Sequence, residues 1–454
     1  MAELAHRGDR QPPRRVDVLP DVAAIGRAFT YAVPDAWHDD GRADQLAIGS
    51  MVRIALHGRR VAGWVVDLDP PVDPGVTLRP LAKLSGVGPP GDVIDLARWA
   101  AHRWVGSLSS LLGTASPPKM VSSIPPARPT TPVGAPDVPE VHEAFAGAGA
   151  VVRIPPVGDR WPYIMGAVAR GNALILVPSL AQAHTLVGRL RQRGVATALA
   201  PRDWARGAAG ATVVGGRAAA FAPVADLAAI MLIDEHDEVY QEERAPTWHA
   251  REVAIERARR AGVPCVLTSP MPTPEARRAF PLVTLPRSEE RSGWPLVQVT
   301  DPRDDGSSRG TLWTTDVVRV LQRDGRVACV VNRKGRSRLL SCTNCDELAV
   351  CETCGGAMRQ DEIGELVCAN LGHRRPVVCA ACGGTAFKNL RIGVSRAREE
   401  LEMLLREPVV EVTGDTTDAD LDRARVVVGT EAVLHRLSGL AAVVFADFDQ
   451  ELVA

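Results

Sequence analysis

A chain of 454 residues is long enough for about three domains, and its 46% hydrophobic and 24% charged residues are typical of a globular protein. No apolar run is long enough to span a membrane and no apolar signal-peptide core opens the chain, so we expect a cytoplasmic protein without membrane association. The formal net charge of -1 excludes a uniformly basic nucleic-acid coat, so any contact with phosphates must come from local basic clusters.

The first part of the chain predicts a small β-domain over residues 14–92, after a polar, proline-bearing stretch (1–13) that we expect to be disordered. Short apolar runs with β-branched and aromatic residues alternate with turn residues, which is typical of strands. These runs are Val16–Val18, Phe29–Val33, Met51–Leu56 and Val61–Leu68. Gly49 and Gly58 lie between runs, and Arg59 and Arg60 follow Gly58 in a predicted turn, where they are candidate phosphate contacts.

Helical spacing of apolar residues predicts a helical segment over residues 93–116. Trp99 and Trp104 could stack on bases there, or could belong to the core, as aromatic residues on an apolar helix face more often do. Prolines then recur through residues 117–148, which predicts a linker and a domain boundary.

Beyond the linker, apolar strands alternate with helices, which predicts parallel sheets covered by helices on both faces. A first lobe is expected over residues 149–305 and a second over 306–454. The predicted strands are Ala173–Val177, Thr212–Val214, Leu227–Ile233 and Cys265–Leu267 in the first lobe, and Val327–Val331, Val409–Val412, Val426–Val428 and Ala441–Phe445 in the second.

Seven of the nine cysteines lie between Cys342 and Cys382, in a module (340–386) that interrupts the second sheet. Six of them form three Cys-x-x-Cys pairs, Cys342/Cys345, Cys351/Cys354 and Cys379/Cys382, and Cys368 stands alone. Two such pairs can close a tetrahedral zinc site. Disulfides are the alternative, which the absence of secretion signals disfavours. A zinc ion that serves only as a folding element also remains possible.

Several motifs, in this order, resemble the replication restart family of PriA (primosomal protein N′), a relative of superfamily 2 helicases. They are Val214–Pro223, Asp234–Tyr240, Trp248–Val253, Val331–Gly335, the cysteine framework and Gly429–Glu431. The resemblance implies two tandem RecA-like sheets, a zinc-binding insertion in the second sheet, and an N-terminal domain that binds the 3′ end of nascent DNA. It also implies that the helical segment 93–116 is a reduced, winged-helix-like domain. It also implies a nucleoid-associated location and a further C-terminal part, so we expect this chain to be C-terminally truncated.

The resemblance assigns roles to individual residues. In the family a Phe-Asp pair contacts the terminal 3′ nucleotide; here Phe29 is kept and Thr30 replaces the aspartate. Phe29 and Tyr31 could equally pack in the core of the β-domain. Gly49, Arg59 and Arg60 complete the predicted DNA-binding set.

For zinc, the resemblance implies that the outer two cysteine pairs, Cys342, Cys345, Cys379 and Cys382, share one ion. Cys351, Cys354 and Cys368 belong to the second site, whose fourth cysteine is replaced by Leu371. Because leucine cannot bind zinc, we predict that His373 completes this site. The alternative for His373 is a surface residue in a basic patch with Arg374 and Arg375.

The motor motifs of the family are altered together. The place of the phosphate loop has two prolines, a single glycine, Gly158, and Arg160 in place of a lysine. None of the four lysines, Lys83, Lys119, Lys334 and Lys388, precedes a serine or threonine, so no Gly-Lys-Ser/Thr exists. The magnesium-binding acidic motif of the family can be placed on this sequence in two ways. Without a gap, Ile233 occupies the position of an acidic residue; with a one-residue deletion, Asp234, followed by Glu235, keeps the metal-binding carboxylate. The coupling motif reads Thr268–Pro272.

We therefore predict a replication restart protein that binds forked or branched DNA as a scaffold, with zinc but without ATP hydrolysis or unwinding. The resemblance implies primosome and replication proteins as partners, including single-strand-binding protein and loading factors of the replicative helicase. One alternative is a zinc-dependent protein-interaction adaptor that does not bind DNA. Another is an active ATP-dependent 3′–5′ helicase that uses ATP and magnesium at an unrecognised site.

Overall fold

The computed structural model describes residues 14–22, 24–73, 75–300, 313–331, 340–345, 347–361, 364–368, 371–389, 394–412, 416–437 and 439–446. The predicted disordered stretch 1–13 and residues 332–335 of the Val331–Gly335 motif lie outside these ranges. The chain divides into two compact units, residues 1–296 and 297–454.

The N-terminal part of the first unit is an antiparallel five-stranded sheet in the order β2-β1-β4-β3-β5. Its strands are β1 (Arg15–Pro20), β2 (Phe29–Ala32), β3 (Met51–Leu56), β4 (Arg59–Leu68) and β5 (Lys83–Gly86), with a short helix α1 (Asp35–Asp39). Val16, Val18, Val52 and Ile54 alternate with exposed or half-buried residues and are fully or almost fully buried. This period of two places one face of the sheet on a core, as predicted.

Two helices, α2 (Gly91–Arg103) and α3 (Leu108–Ala115), follow the sheet. Trp99 and Trp104 form an edge-to-face pair, with ring centroids 5.4 Å apart, and pack against the main hydrophobic core. Their packing accounts for both rings without a nucleic-acid base.

A seven-stranded parallel sheet forms the rest of the first unit, in the order β12-β6-β11-β10-β7-β9-β8. Its strands are β6 (Gly149–Arg153), β7 (Asn172–Leu176), β8 (Thr197–Leu199), β9 (Thr212–Gly215), β10 (Leu227–Leu232), β11 (Cys265–Ser269) and β12 (Leu282–Thr284). The helices are α4 (Pro139–Ala144), α5 (Trp161–Val168), α6 (Leu180–Gln192), α7 (Trp204–Gly210), α8 (Ala250–Ala261), α9 (Pro274–Ala279) and α10 (Arg287–Ser292). Helix α4 lies within the range expected to be linker, and its Val141 and Ala144 are buried in the core.

In the second unit, the described residues form a parallel four-stranded sheet in the order β19-β20-β13-β21. The sheet strands are β13 (Val327–Val330), β19 (Val409–Glu411), β20 (Val426–Gly429) and β21 (Ala442–Phe445); the helices are α11 (Thr315–Leu321), α12 (Val394–Leu405), α13 (Asp418–Arg423) and α14 (Ala432–Arg436). The insertion after β13 contains β14 (Leu340–Cys342), β15 (Met358–Gln360), β16 (Leu366–Cys368), β17 (Arg374–Arg375) and β18 (Phe387–Asn389).

The predicted α/β fold class is confirmed: two parallel sheets with helices follow a small β-domain, and the cysteine module lies between strands of the second sheet. Among the described residues, no helix is both long and apolar enough to cross a membrane.

Candidate metal centres, DNA-binding face and nucleotide site

Four turns of the cysteine module share one hydrogen-bond pattern, in which the amide of the first cysteine donates to the carbonyl five residues later. The pairs are Cys342 to Glu347 at 2.9 Å, and Cys351 to Gly356, Cys368 to His373 and Cys379 to Gly384, each at 2.8 Å. In three of these turns a glycine with positive φ stands four residues after the cysteine: Gly355, Gly372 and Gly383, with φ of 69°, 69° and 72°. The turn at Cys368 is therefore a knuckle like the others, with Leu371 where a second cysteine would stand.

The first cysteine cluster consists of Cys342, Cys345, Cys379 and Cys382, whose sulfurs all lie within 4.8 Å of one another. Cys342 Sγ is 3.5 Å from Cys382 Sγ, and Cys345 Sγ is 3.6 Å from Cys379 Sγ. Disulfide sulfurs are about 2.05 Å apart, so this is a cluster of four separate thiols and not two bonded pairs. Four converging sulfurs fit a tetrahedral zinc ion.

The second cluster brings together Cys351, Cys354 and Cys368, again within 4.8 Å of one another. His373 approaches it from one side, with Nδ1 at 3.5 Å from Cys351 Sγ. The hydrogen bond with the His373 ring lowers the pKa of the Cys351 thiol to about 6, which favours the thiolate that metals bind. The Leu371 side chain is 56% exposed, and the Leu371 amide donates to Cys368 Sγ at 3.4 Å. Three converging sulfurs could hold a metal ion. His373 lies beside Cys351 but is not among the ligand atoms that all lie within 4.8 Å of one another, so it stays a predicted fourth ligand.

In the β-domain, Thr30 is paired with an acidic residue that the sequence analysis did not single out. Thr30 stands opposite Asp17 in the β1–β2 ladder, and Thr30 Oγ1 donates to Asp17 Oδ1 at 2.6 Å. The carboxylate that is missing at position 30 is thus present on the neighbouring strand. No local sequence signal marks this, because the contact depends on the register of two strands.

The two aromatic residues beside Thr30 differ in burial. Tyr31 is 4% exposed, belongs to the core, and donates its hydroxyl hydrogen to the carbonyl of Ala55 at 3.1 Å. Phe29 is half-buried, with the Arg27 guanidinium 4.8 Å from its ring centroid. The core interpretation therefore describes Tyr31, whereas part of Phe29 remains accessible.

Exposed basic residues lie together on the outer face of the β-domain sheet. Arg53 pairs with Lys83 across β3 and β5, and Arg60 pairs with Ala55 across β4 and β3, so the three cationic side chains share one face. The prediction that Arg59 and Arg60 lie in a turn is wrong, because they are the first two residues of strand β4. Since side chains alternate along a strand, Arg59 points to the opposite face from Arg60. Among the described residues, none of these four cations forms an ion pair with an acidic side chain.

Gly49 has a structural reason for being glycine. Its φ is +93°, and a Cβ atom there would stand 1.8 Å from the carbonyl oxygen of Pro89. The backbone of the turn before β3 thus packs directly on the segment that leads into α2. This close approach explains the residue without reference to DNA.

The place of the phosphate loop, between β6 and α5, is organised around Arg160. Its Nη1 donates to the carbonyl oxygens of Pro155, Pro156 and Gly158 at 3.1, 3.1 and 2.7 Å. A phosphate-binding loop instead presents backbone N–H groups to its ligand. Here the loop surrounds a cation of the protein itself, and Gly158 fits because a Cβ atom would meet Ile154 Cγ2 at 2.6 Å.

The neighbouring carboxylates Asp234 and Glu235 are both engaged. Asp234 Oδ1 accepts a hydrogen bond from Arg160 Nη2 at 2.9 Å, while Ile233 is buried in the core. Glu235 is fully buried and accepts hydrogen bonds from Arg251 Nη1, Thr273 Oγ1 and the Thr273 amide, all at 2.8 Å. Asp234 faces the loop, and Glu235 ties the end of β10 to α8 and α9.

Comparison with known proteins gives a family domain and several relatives. The family model for the PriA 3′DNA-binding domain (3′BD) matches residues 17–117. The chain is 28% identical over 472 residues to the probable replication restart protein PriA of Mycobacterium tuberculosis strain H37Rv. That alignment covers 92% of this chain and 71% of the relative. It is 27% identical over 277 residues to the replication restart protein PriA of Bacillus subtilis, in an alignment that covers 55% of this chain and 34% of the relative.

Among solved structures, yeast Dbp5 bound to RNA and ADP BeF3 is 14% identical, in an alignment that covers 66% of this chain and 70% of the Dbp5 chain. The TM-score of 0.35 is too low to support an argument. The sequence relatives, in contrast, confirm the predicted resemblance.

Proposed function

Because the chain resembles the replication restart proteins PriA and matches their 3′ DNA-binding domain, we propose that it recognises forked or branched DNA and acts as a scaffold without ATPase or helicase activity. Its partners would be primosome and replication proteins, including single-strand-binding protein and loading factors of the replicative helicase. The observation that carries the absence of a motor is the engagement of Arg160 by three loop carbonyls and Asp234.

The charges around Arg160 explain why ATP hydrolysis is not expected. A phosphoryl-transfer site needs backbone donors for the phosphates, a free cation, and a carboxylate available to magnesium. Here Arg160 is only 17% exposed and Asp234 23%, and they neutralise each other. Opening the pair would leave two partly buried charges without partners, and the loop carbonyls would then face the phosphates.

For the DNA end, we propose that Phe29 stacks on the terminal base and that Thr30 and Asp17 together contact the 3′-hydroxyl. Asp17 already accepts the Thr30 hydrogen at 2.6 Å, so its remaining oxygen lone pairs are suited to accept from a sugar hydroxyl. The cationic face formed by Arg53, Arg60 and Lys83 would contact backbone phosphates and place the DNA end.

The two cysteine clusters would each hold one zinc ion, through four thiolates in the first cluster and through three thiolates and His373 in the second. Bound zinc would supply a rigid crosslink between the knuckles and no redox chemistry. The module would then offer a fixed surface to partner proteins.

A fork-binding experiment tests the proposal. The zinc-loaded 454-residue chain should bind a labelled fork with a 3′-hydroxyl end in the absence of nucleotide. Affinity should fall steeply with salt, and Arg60→Ala or Lys83→Ala should each reduce the slope of log K against log salt by about one. Asp17→Asn should reduce the preference for a 3′-hydroxyl over a 3′-phosphate end. Arg287→Ala, an exposed arginine on α10, is the matched control and should change neither quantity.

The other outcomes are distinct. Fork-stimulated ATP hydrolysis that Asp234→Ala abolishes would contradict the scaffold proposal in favour of a helicase. A zinc-loaded protein that binds no fork at low salt would instead indicate the protein-interaction adaptor.

A further inference from the structure

A basic stretch of sequence lies at one edge of the seven-stranded sheet. Between Val177 and Asp226 the chain has one acidic residue, Asp203, and no lysine. The same stretch contains six arginines: Arg189, Arg191, Arg193, Arg202, Arg206 and Arg217. Because the whole chain has 53 basic and 54 acidic residues, positive charge is concentrated here. The stretch includes β8, which forms one edge of the sheet, whereas β6, which precedes the Arg160 loop, lies next to the strand at the other edge.

Three of these arginines share the single carboxylate. Asp203 Oδ2 is 3.2 Å from Arg191 Nη2 and 3.7 Å from Arg206 Nη1, and Asp203 Oδ1 is 3.3 Å from Arg202 Nε. Arg191 and Arg206 also donate to the carbonyl oxygen of Thr197 in β8, at 3.2 and 3.4 Å. These bonds satisfy a free backbone group of an edge strand, which gives two of the arginines a structural role. One carboxylate nevertheless leaves the three guanidinium groups with an excess of positive charge.

Two further arginines at this edge have no acidic partner among the described residues. Arg193 is exposed and follows the last turn of α6. Arg128 is exposed in the proline-rich segment before α4, which reaches this edge because the Thr131 amide donates to the Gly194 carbonyl at 3.1 Å. With the three arginines around Asp203 they form a surface that we call the basic edge: Arg128, Arg191, Arg193, Arg202 and Arg206.

The surroundings of the basic edge favour a duplex phosphate backbone as its ligand. Every large apolar side chain between residues 181 and 225 is buried, including Trp204 and Phe221, the aromatic residues of that stretch. A stable interface with a protein segment needs apolar or aromatic anchors, and single-stranded nucleic acid stacks its bases on accessible aromatic rings. Contacts with the phosphates of a duplex need only cationic donors, and the guanidinium fork matches the geometry of a phosphate.

We propose that the basic edge binds the phosphate backbone of a double-stranded arm of the DNA, whatever its sequence. Helix α7, which carries Arg206, packs on α3, because Trp204 Nε1 donates to the Ala115 carbonyl at 2.7 Å. The basic edge therefore belongs to the same compact unit as the β-domain. The inference rests on the proposed binding of forked DNA and adds a second surface to it: the β-domain would hold the 3′ end, and the basic edge would hold a duplex arm.

A DNA dumbbell, which is a duplex closed by a loop at each end, tests the proposal because it offers no 3′ end to the β-domain. The zinc-loaded 454-residue chain should bind the dumbbell with an affinity that falls as salt rises. Arg128→Ala and Arg193→Ala should each weaken this binding severalfold and reduce the slope of log K against log salt by about one. Arg193→Glu should weaken binding further than Arg193→Ala. Arg287→Ala, at an exposed position on α10, is the matched control and should have no effect.

The outcomes separate this inference from the proposed function. Absence of dumbbell binding, binding unchanged in both Arg128→Ala and Arg193→Ala, or equal weakening in Arg287→Ala would overturn the basic edge, even if Asp17→Asn still shows 3′-end recognition. Dumbbell binding that depends on Arg193, without any preference for a 3′-hydroxyl end, would support the basic edge and contradict the proposed end recognition. A deca-glutamate peptide that binds more tightly than the dumbbell and displaces it would overturn the assignment to DNA in favour of an acidic protein segment.

Discussion

At the scale of single residues, the neighbours Asp234 and Glu235 show how backbone conformation separates two carboxylates. Asp234 has a φ of 53°, in the left-handed region that residues other than glycine seldom adopt. The turn directs Asp234 to Arg160 at the end of the sheet and Glu235 into the interior, where it is fully buried. Their different exposure implies different consequences of substitution.

Substitution of Glu235 should destabilise the first unit strongly. Glu235→Ala would leave the Arg251 guanidinium, only 7% exposed, without its buried partner. Removal of one member of a buried ion pair costs about 3–5 kcal/mol of unfolding free energy. Urea unfolding followed by circular dichroism measures this. The exposed Glu243→Gln should change the free energy by less than about 0.5 kcal/mol. Equal stability of Glu235→Ala and the unsubstituted protein would show that the pair contributes little.

His249 should make the stability of the first unit depend on pH. Burial, and next the charge of Arg251, lower the pKa of His249 to about 4, compared with about 6.5 for an unfolded histidine. Between these values the unfolded chain binds more protons, so the contribution is complete above pH 6.5 and is lost as the pH falls towards 4. The urea midpoint should therefore fall between pH 7 and pH 5.

A control variant for His249 should remove its titration but keep its second role, which is to cap the N-terminus of α8. His249 Nδ1 accepts the Arg251 amide hydrogen at 3.1 Å as the N-cap of α8. Asparagine also caps helices but does not titrate. His249→Asn should show a smaller fall in the midpoint between pH 7 and pH 5, and an equal fall in both proteins would assign the pH dependence to other groups.

At the scale of elements, the turn at Cys368 has the backbone of the Cys-x-x-Cys turns, with Leu371 in the place of the second cysteine. Its hydrogen bonds and the positive φ of Gly372 match the turns that begin at Cys351 and Cys379. The backbone geometry needed for a metal-binding cysteine at position 371 is thus retained, although the side chain is leucine. This suggests a rescue experiment.

We predict two zinc ions per chain, falling to one in His373→Ala, because three thiolates without a fourth ligand leave an open, labile site. Leu371→Cys in the His373→Ala background should restore the second ion, since the sulfur would enter an existing knuckle. Elemental analysis after gel filtration gives the count. Arg374→Ala, next to His373, is the control and should keep both ions. Two ions in His373→Ala would exclude His373 as a required ligand.

The sequence predicted features that depend on local patterns. Cysteine spacing indicated a metal-binding module, the family resemblance divided its cysteines into two sets, and apolar runs before polar residues indicated most of the parallel strands. Strands β6, β8 and β12 were not predicted: β8 and β12 have only three residues each, and β6 follows directly on the stretch interpreted as a linker. The contacts of Arg160 with Asp234, and of Thr30 with Asp17, depend on tertiary structure and strand register. No local pattern contains that information.

At the scale of the whole molecule, we expect zinc bound at the two cysteine clusters to affect the two units differently. Six residues form the buried core of the cysteine module: Leu340, Ala349, Cys351, Met358, Leu366 and Cys368. Two of the six are proposed zinc ligands, so the module has little apolar core without metal. The seven-stranded sheet of the first unit has two extensive cores and no proposed ligand.

Removal of zinc by a chelator should therefore expose the module and spare the first unit. In hydrogen exchange with mass spectrometry, we expect peptides from residues 340–389 to lose protection and peptides from β7, β10 and β11 to keep it. Addition of zinc should restore the original pattern. Equal loss of protection in both units would contradict this independence.

Under the proposed function, the pairing of Arg160 with Asp234 also bears on how long the protein would stay on DNA. A nucleotide can change the affinity for DNA only if it binds, because coupling between two ligands is reciprocal. Under the proposed function, no cycle of triphosphate binding and hydrolysis alternates tight and weak DNA-binding states. Residence on a fork would then end by spontaneous dissociation or by displacement by another protein, and the dissociation rate would be the same with and without ATP.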